Sequence, residues 1–187
     1  NELGLSERSI SAAVQRLRAL GMLESIKKAG IRITEPQLES ILGTTIMLHA
    51  RKENGLKELA ELRFALEAGA VRLTAERITE DELLQLAECV VRQQRLVDNK
   101  GNPEDIKNED EKFHQILLKA SGSPMVYRQH AVISEYFRKY SRADDCEHAV
   151  RQMTVWEHGQ IVEALKVRNV DYAAAMLSRH LSKTLTY

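Results

Sequence analysis

Asp110 and His114 stand four residues apart in NEDEKFHQILLKASGSP, residues 108–124, in line with Phe113, Ile116 and Leu117. At about 100° per residue, that spacing sets a carboxylate and an imidazole at the edge of, or inside, the face an amphipathic helix buries. Glu111 also spells ExxH with His114, but it falls outside that face, so Asp110 is the better carboxylate. Two more histidines lie on apolar stripes: His158 with Ile161, Val162 and Leu165, and His180 with Ala173, Met176 and Leu177. His158 is eleven residues before Asn169, where the chain is expected to turn, and His180 eleven after it. In an antiparallel helical hairpin, equal distances from the turn put two residues level. One carboxylate and three imidazoles can therefore converge inside one bundle. A buried ionised carboxylate needs a partner, and neutral imidazole is the commonest metal ligand. Asp plus three His suits a divalent first-row ion, zinc first, with nickel, manganese or iron as alternatives. Four protein ligands on a six-coordinate ion leave positions for water or a small ligand. The plainer reading of each histidine, taken singly, is a hydrogen-bonded core side chain.

Arg63 is a second oddity. It lies on the apolar stripe of its helix with Leu56, Leu59, Leu66 and Ala70. A buried guanidinium needs an anion. Glu67, one turn on, is one candidate; a ligand carboxylate gripped by two hydrogen bonds is the other.

The elements that must position these groups are helices. The chain has 187 residues, 43% hydrophobic and 29% charged, enough for one or two globular domains with a real core. Aromatic residues make up only 5%, and Leu and Ala fill the periodic stretches. No apolar run approaches the roughly 20 residues of a membrane span, and the opening residues do not read as a signal peptide. Asn1 is not a natural start residue, so further sequence is expected upstream. Cys89 and Cys146 form no CxxC, which points to a reducing cytoplasm. Formal net charge is zero, yet residues 1–36 carry +2 and residues 37–187 carry −2. The sign fits a small DNA-contacting end on a neutral body.

In that end, LGLSERSISAAVQRLRALGML predicts a turn, a helix and a stop. Ser6 is a good N-cap, Ile10, Ala13, Val14 and Leu17 form the apolar stripe, and Gly21 ends the helix. The opposite face carries Arg8, Ser9, Ser11, Gln15 and Arg16, all able to bond phosphates or base edges. MLESIKKAGIRIT then alternates like a hairpin turning over Lys27–Lys28–Ala29–Gly30. A helix followed at once by a small basic hairpin has the arrangement of a recognition helix and wing; a helix with a solvated polar face is the alternative. The stretch resembles the C-terminal half of the winged helix of the GntR family of bacterial regulators, through Leu3-Gly4, Ser6, Arg16-Leu17, Gly21 and the Gly-containing wing. That resemblance makes Ser6, Arg8, Ser9, Gln15, Arg16, Lys27, Lys28 and Gly30 the expected DNA-facing set. Glu7 and Ser11 depart from it, since family members often carry basic residues there.

Pro36 marks a boundary. Beyond it come a linker helix over 37–49 and six longer helices joined by short breaks, one opening with the Thr79-x-x-Glu82 capping box. The expected fold is thus mainly α: a partial winged helix-turn-helix (1–36), the linker (37–49), and an all-helical antiparallel bundle of six to seven helices (50–187). The pieces ELRFALEAGAVRLTAERITEDEL, EDEKFHQILLKASGSP and WEHGQIVEALKVRNVDYAAAMLSRHL resemble, in this order, the FCD ligand-binding domain of the FadR subfamily. The resemblance implies a metal at Asp110, His114, His158 and His180, with Arg63 contacting the effector. His49, His130 and His148 match nothing in that pattern and are assigned to surface or core. The function implied is a cytoplasmic, homodimeric transcriptional regulator whose affinity for operator DNA is set by a small organic acid. The alternative is a metal-dependent enzyme using an Asp/His3 site on such an acid.

Overall fold

The computed structural model describes residues 4–27, 30–35, 42, 43, 46, 49, 52, 54–140 and 147–186. Leu3, Lys28 and most of the expected linker helix lie outside these residues. The chain divides into two compact units, Asn1–His49 and Ala50–Tyr187.

The first unit holds α1 (Glu7–Ala19) and a two-stranded antiparallel sheet, β1 (Leu23–Ile26) with β2 (Gly30–Ile33). Ser6 caps α1 by accepting from the Ser9 amide at 3.2 Å, with Glu7 in the first turn, where the helix dipole favours an acid. Gly21, at φ 68°, follows the last turn in the left-handed conformation that stops a helix cheaply only at glycine. Ile26 pairs with Gly30, whose φ of 93° is again one that a side chain would resist, so the hairpin closes between them. Arg8, Ser9, Gln15 and Arg16 are all exposed on α1, as are Lys27 and Gly30 in the hairpin. Ser6 spends its hydroxyl on the cap, and Ser9 Oγ lies 2.9 Å from it.

The second unit is a helical bundle: α2 (Gly55–Arg77), α3 (Glu80–Asp98), α4 (Pro103–Lys119), α5 (Pro124–Tyr140), α6 (His148–Lys166) and α7 (Val170–Ser182), closed by a short 3-10 turn at Lys183–Thr186. Local chemistry sets the boundaries. Thr79 and Glu82 make the reciprocal capping box. Asn102 caps α4 ahead of Pro103, whose missing N–H costs nothing in the first turn. Asn169 caps α7 through the Tyr172 amide. The α6–α7 turn is pinned to the end of α2 by Arg168, which donates to the carbonyls of Ala75 and Ile78 at 2.7 and 2.8 Å.

α2 packs on α7, α5 and α4; α3 packs on α4 and α6; α6 packs on α7. Their inner faces make one core around Val71, Leu86, Phe113, Leu117, Ile161 and Leu177, each fully buried. Buried polar residues lie among the helices as well: Arg63 and Glu67 on α2, Gln93 on α3, His114 on α4, His130 on α5, Glu157 and His158 on α6, His180 on α7. The apolar shell therefore encloses a polar centre, and excludes water from it. Among the described residues, no helix is long and apolar enough to cross a membrane.

Candidate metal centre

Asp110, His114, His158 and His180 each offer one ligand atom, and these atoms all lie within 4.8 Å of one another. The His114 and His158 Nε2 atoms are 3.1 and 3.3 Å from His180 Nε2. Asp110 closes the group, with Oδ2 3.9 Å from His114 Nε2 and Oδ1 3.7 Å from His158 Nε2. The three imidazoles are buried, while the Asp110 side chain is 31% exposed and forms the open edge. The equal spacing of His158 and His180 about Asn169 is what brings their rings level.

The other ring nitrogens decide the protonation state. His114 Nδ1 lies 2.5 Å from Glu67 Oε2, His158 Nδ1 2.8 Å from Gln93 Oε1, and His180 Nδ1 3.2 Å from Glu157 Oε2. Each partner atom is an acceptor, so each ring carries its proton on Nδ1 and turns a bare Nε2 lone pair inward. The Gln93 orientation is itself fixed, because its Nε2 donates to the Glu109 carbonyl at 2.8 Å. Three lone pairs and a carboxylate facing one another across about 3–4 Å repel unless a cation sits among them. That donor set fits a divalent first-row ion.

Electrostatics favour the same state. Burial, and then the neighbouring His180 and His114 rings, hold the His158 pKa well below its ordinary 6.5. Burial also lowers His114, against the pull of Glu67. Neutral imidazoles are the form that ligates metal. Glu67 behaves oppositely: burial would raise it, but Arg63, His114 and His130 together keep it well below the usual carboxylate range. Phe113 stacks flat on the His158 ring, centroids 3.9 Å apart, which fixes that ring's tilt.

Arg63 is 8% exposed and donates from Nε to Glu67 Oε1 at 2.6 Å. The intrahelical partner suggested by the sequence is thus present. The same Glu67 oxygen lies 2.9 Å from His130 Nε2, so a single buried carboxylate serves two histidines and an arginine. His130 is a fully buried member of this network, while His148 is exposed at the start of α6. Glu157 ties His180 to Lys183 at 2.6 Å and to Arg179 at 3.3 Å. Gln93 was not singled out from the sequence and His130 was assigned only to surface or core, although a signal for both existed. Gln93 occupies an inward position in the series Leu86, Cys89, Gln93, Val97, all buried, and His130 does so with Ile133, Ser134 and Phe137.

The profile of the FCD domain family matches residues 58–183, which contain every residue of this centre. The chain belongs to the FCD domain family. Over 93% of its length it is 23% identical to the HTH-type transcriptional repressor NanR of Escherichia coli, covering 67% of that protein, and equally to NanR of Cronobacter sakazakii, covering 68%. Its fold is similar to that of a Streptococcus agalactiae GntR structure, with a TM-score of 0.67 and 23% identity over 97% of this chain and 82% of that one. Escherichia coli McbR/YncC matches with a TM-score of 0.58 and 22% identity, over 97% and 79%. The NanR relatives are transcriptional repressors by name and the Streptococcus agalactiae structure is a GntR protein, and the FCD match agrees with the resemblance drawn from the sequence.

Proposed function

We propose that this chain serves in a cytoplasmic bacterial regulator that binds operator DNA as a homodimer and senses a small organic acid at a metal held by Asp110, His114, His158 and His180. The observation that carries the sensing half is the inward convergence of three Nε2 lone pairs, each ring locked by an acceptor at Nδ1. When bound, the ion would supply Lewis acidity that attracts a carboxylate. Asp110, at the partly exposed edge, marks the side from which that ligand arrives. Arg63, ion-paired with Glu67, would meet the ligand's charge. The remaining residues exclude water, which strengthens both contacts. Effector binding can change DNA affinity only if two dimer states bind the acid with different affinity.

Arg63→Ala is expected to weaken binding of the acid by about 2–5 kcal/mol, read by calorimetry with a panel of small carboxylates, while metal content stays near the wild-type value. Unchanged affinity in a protein that merely melts earlier would make Arg63 only the structural partner of Glu67.

On the DNA side, the exposed α1 face and the hairpin are the proposed contacts, with Lys27 and Lys28 on phosphates or the minor-groove edge and Arg8 and Arg16 in or beside the major groove. Removing Lys27 is expected to reduce the slope of log affinity against log salt by about 0.9, on specific and random duplexes alike. Arg8→Ala is expected to cost about 1–3 kcal/mol, chiefly on the specific site. The full-length dimer is the protein to assay. DNA affinity indifferent to alanine at each of Arg8, Arg16, Lys27 and Lys28 would remove the DNA-binding half of the proposal.

A further inference from the structure

We propose that Gln93 is a positioning residue that braces two of the four ligands at once, so that α3 shapes the metal site without supplying a ligand to it. This rests on the metal reading above. Asp110 and His114 lie on α4, His158 on α6 and His180 on α7. Gln93, on α3, is 1% exposed. Its Oε1 accepts from His158 Nδ1 at 2.8 Å, and its Nε2 donates to the Glu109 carbonyl at 2.8 Å. Glu109 is the residue immediately before Asp110.

The two ends of the amide define each other. A carbonyl can only accept, so Nε2 must point to Glu109, and Oε1 is left for His158. That sets the His158 tautomer and presents its Nε2 to the other ligands. It also ties the backbone beside Asp110 to the ring of His158, whose Nε2 lies 3.7 Å from Asp110 Oδ1. Two more α3 side chains hold the same α4 residue. Cys89 Sγ donates to the Glu109 carbonyl at 3.2 Å, and Arg92 Nε donates to Glu109 Oε2 at 3.0 Å. Glu67 and Glu157 work differently. Each is a carboxylate that steadies one ligand ring and otherwise meets Arg63 and His130, or Arg179 and Lys183. Of these three partners, Gln93 is the one whose second bond reaches the backbone next to another ligand, and an acceptor-only glutamate cannot make that bond.

The test uses the whole chain and cobalt(II) as the probe, reading affinity by chelator competition and geometry by the visible ligand-field spectrum. Gln93→Met keeps the volume and loses both bonds. A roughly 10–100-fold loss of cobalt affinity is expected, with an altered spectrum. Gln93→Glu keeps the acceptor for His158 and loses the donor to Glu109, so its loss should be smaller but present; it also serves if the methionine variant does not fold. Wild-type affinity and spectrum in Gln93→Met, even with a lower melting temperature, would make Gln93 a structural residue and overturn the inference. Wild-type behaviour in Gln93→Glu would remove the tie to Asp110. A wild-type chain that takes no cobalt would overturn the metal reading itself, and this inference with it.

Discussion

Glu67→Ala is expected to destabilise the metal-free helical unit by about 3–5 kcal/mol, the usual cost of removing one partner from a buried ionic group. The carboxylate is fully buried and meets Arg63, His114 and His130 at 2.6, 2.5 and 2.9 Å. Its loss strands a guanidinium and two imidazoles in the core without their shared acceptor. Urea unfolding of the metal-free protein at neutral pH measures the effect. Acid tests the cause. Glu67 is held well below the ordinary carboxylate value of 4.5, so its contribution is complete above that value and is lost only as pH falls through the lower folded one. The gap between wild type and variant should therefore persist down to about pH 4.5 and shrink below it. A gap of a few tenths of a kcal/mol at neutral pH would mean that Arg63, His114 and His130 find other partners.

The second large effect is the ion's own. An ion bound only by the folded chain stabilises it by about 4 kcal/mol at a thousand times its dissociation constant. Adding zinc to the metal-free protein should accordingly raise its melting temperature by several degrees. His180→Ala should abolish most of that rise, because His180 Nε2 is the atom that faces both other imidazoles, at 3.1 and 3.3 Å. An equal rise in wild type and variant would place the stabilising ion elsewhere.

Much of this was legible in the sequence, for identifiable reasons. The helices of the bundle were readable because their caps are local: Thr79 with Glu82, Asn102 before Pro103, Asn169 before α7. The convergence of Asp110, His114, His158 and His180 was readable because a histidine or aspartate on an apolar stripe conflicts with burial, and the conflict needs a resolution. The symmetry of His158 and His180 about Asn169 even gave their relative height. Their outer partners were harder to find. Gln93 contacts His158 across 65 positions and Glu67 contacts His130 across 63, separations that no local pattern encodes. A glutamine or glutamate on a stripe also reads as an ordinary boundary residue, whereas an imidazole does not. Arg63 shows the same difficulty in another form: its spacing from Glu67 made the ion pair readable, but neither that spacing nor the pair itself says whether an effector competes for the guanidinium.

Asp110, His114, His158 and His180 are proposed to hold one divalent ion per chain. The direct measurement is elemental analysis of the wild-type protein by mass spectrometry, after metal-replete purification and dialysis into metal-free buffer. The expected result is close to one equivalent of a first-row divalent metal, falling sharply in His158→Ala and His180→Ala. A wild-type content near zero, or one that those two substitutions leave unchanged, would mean that these four residues hold no ion.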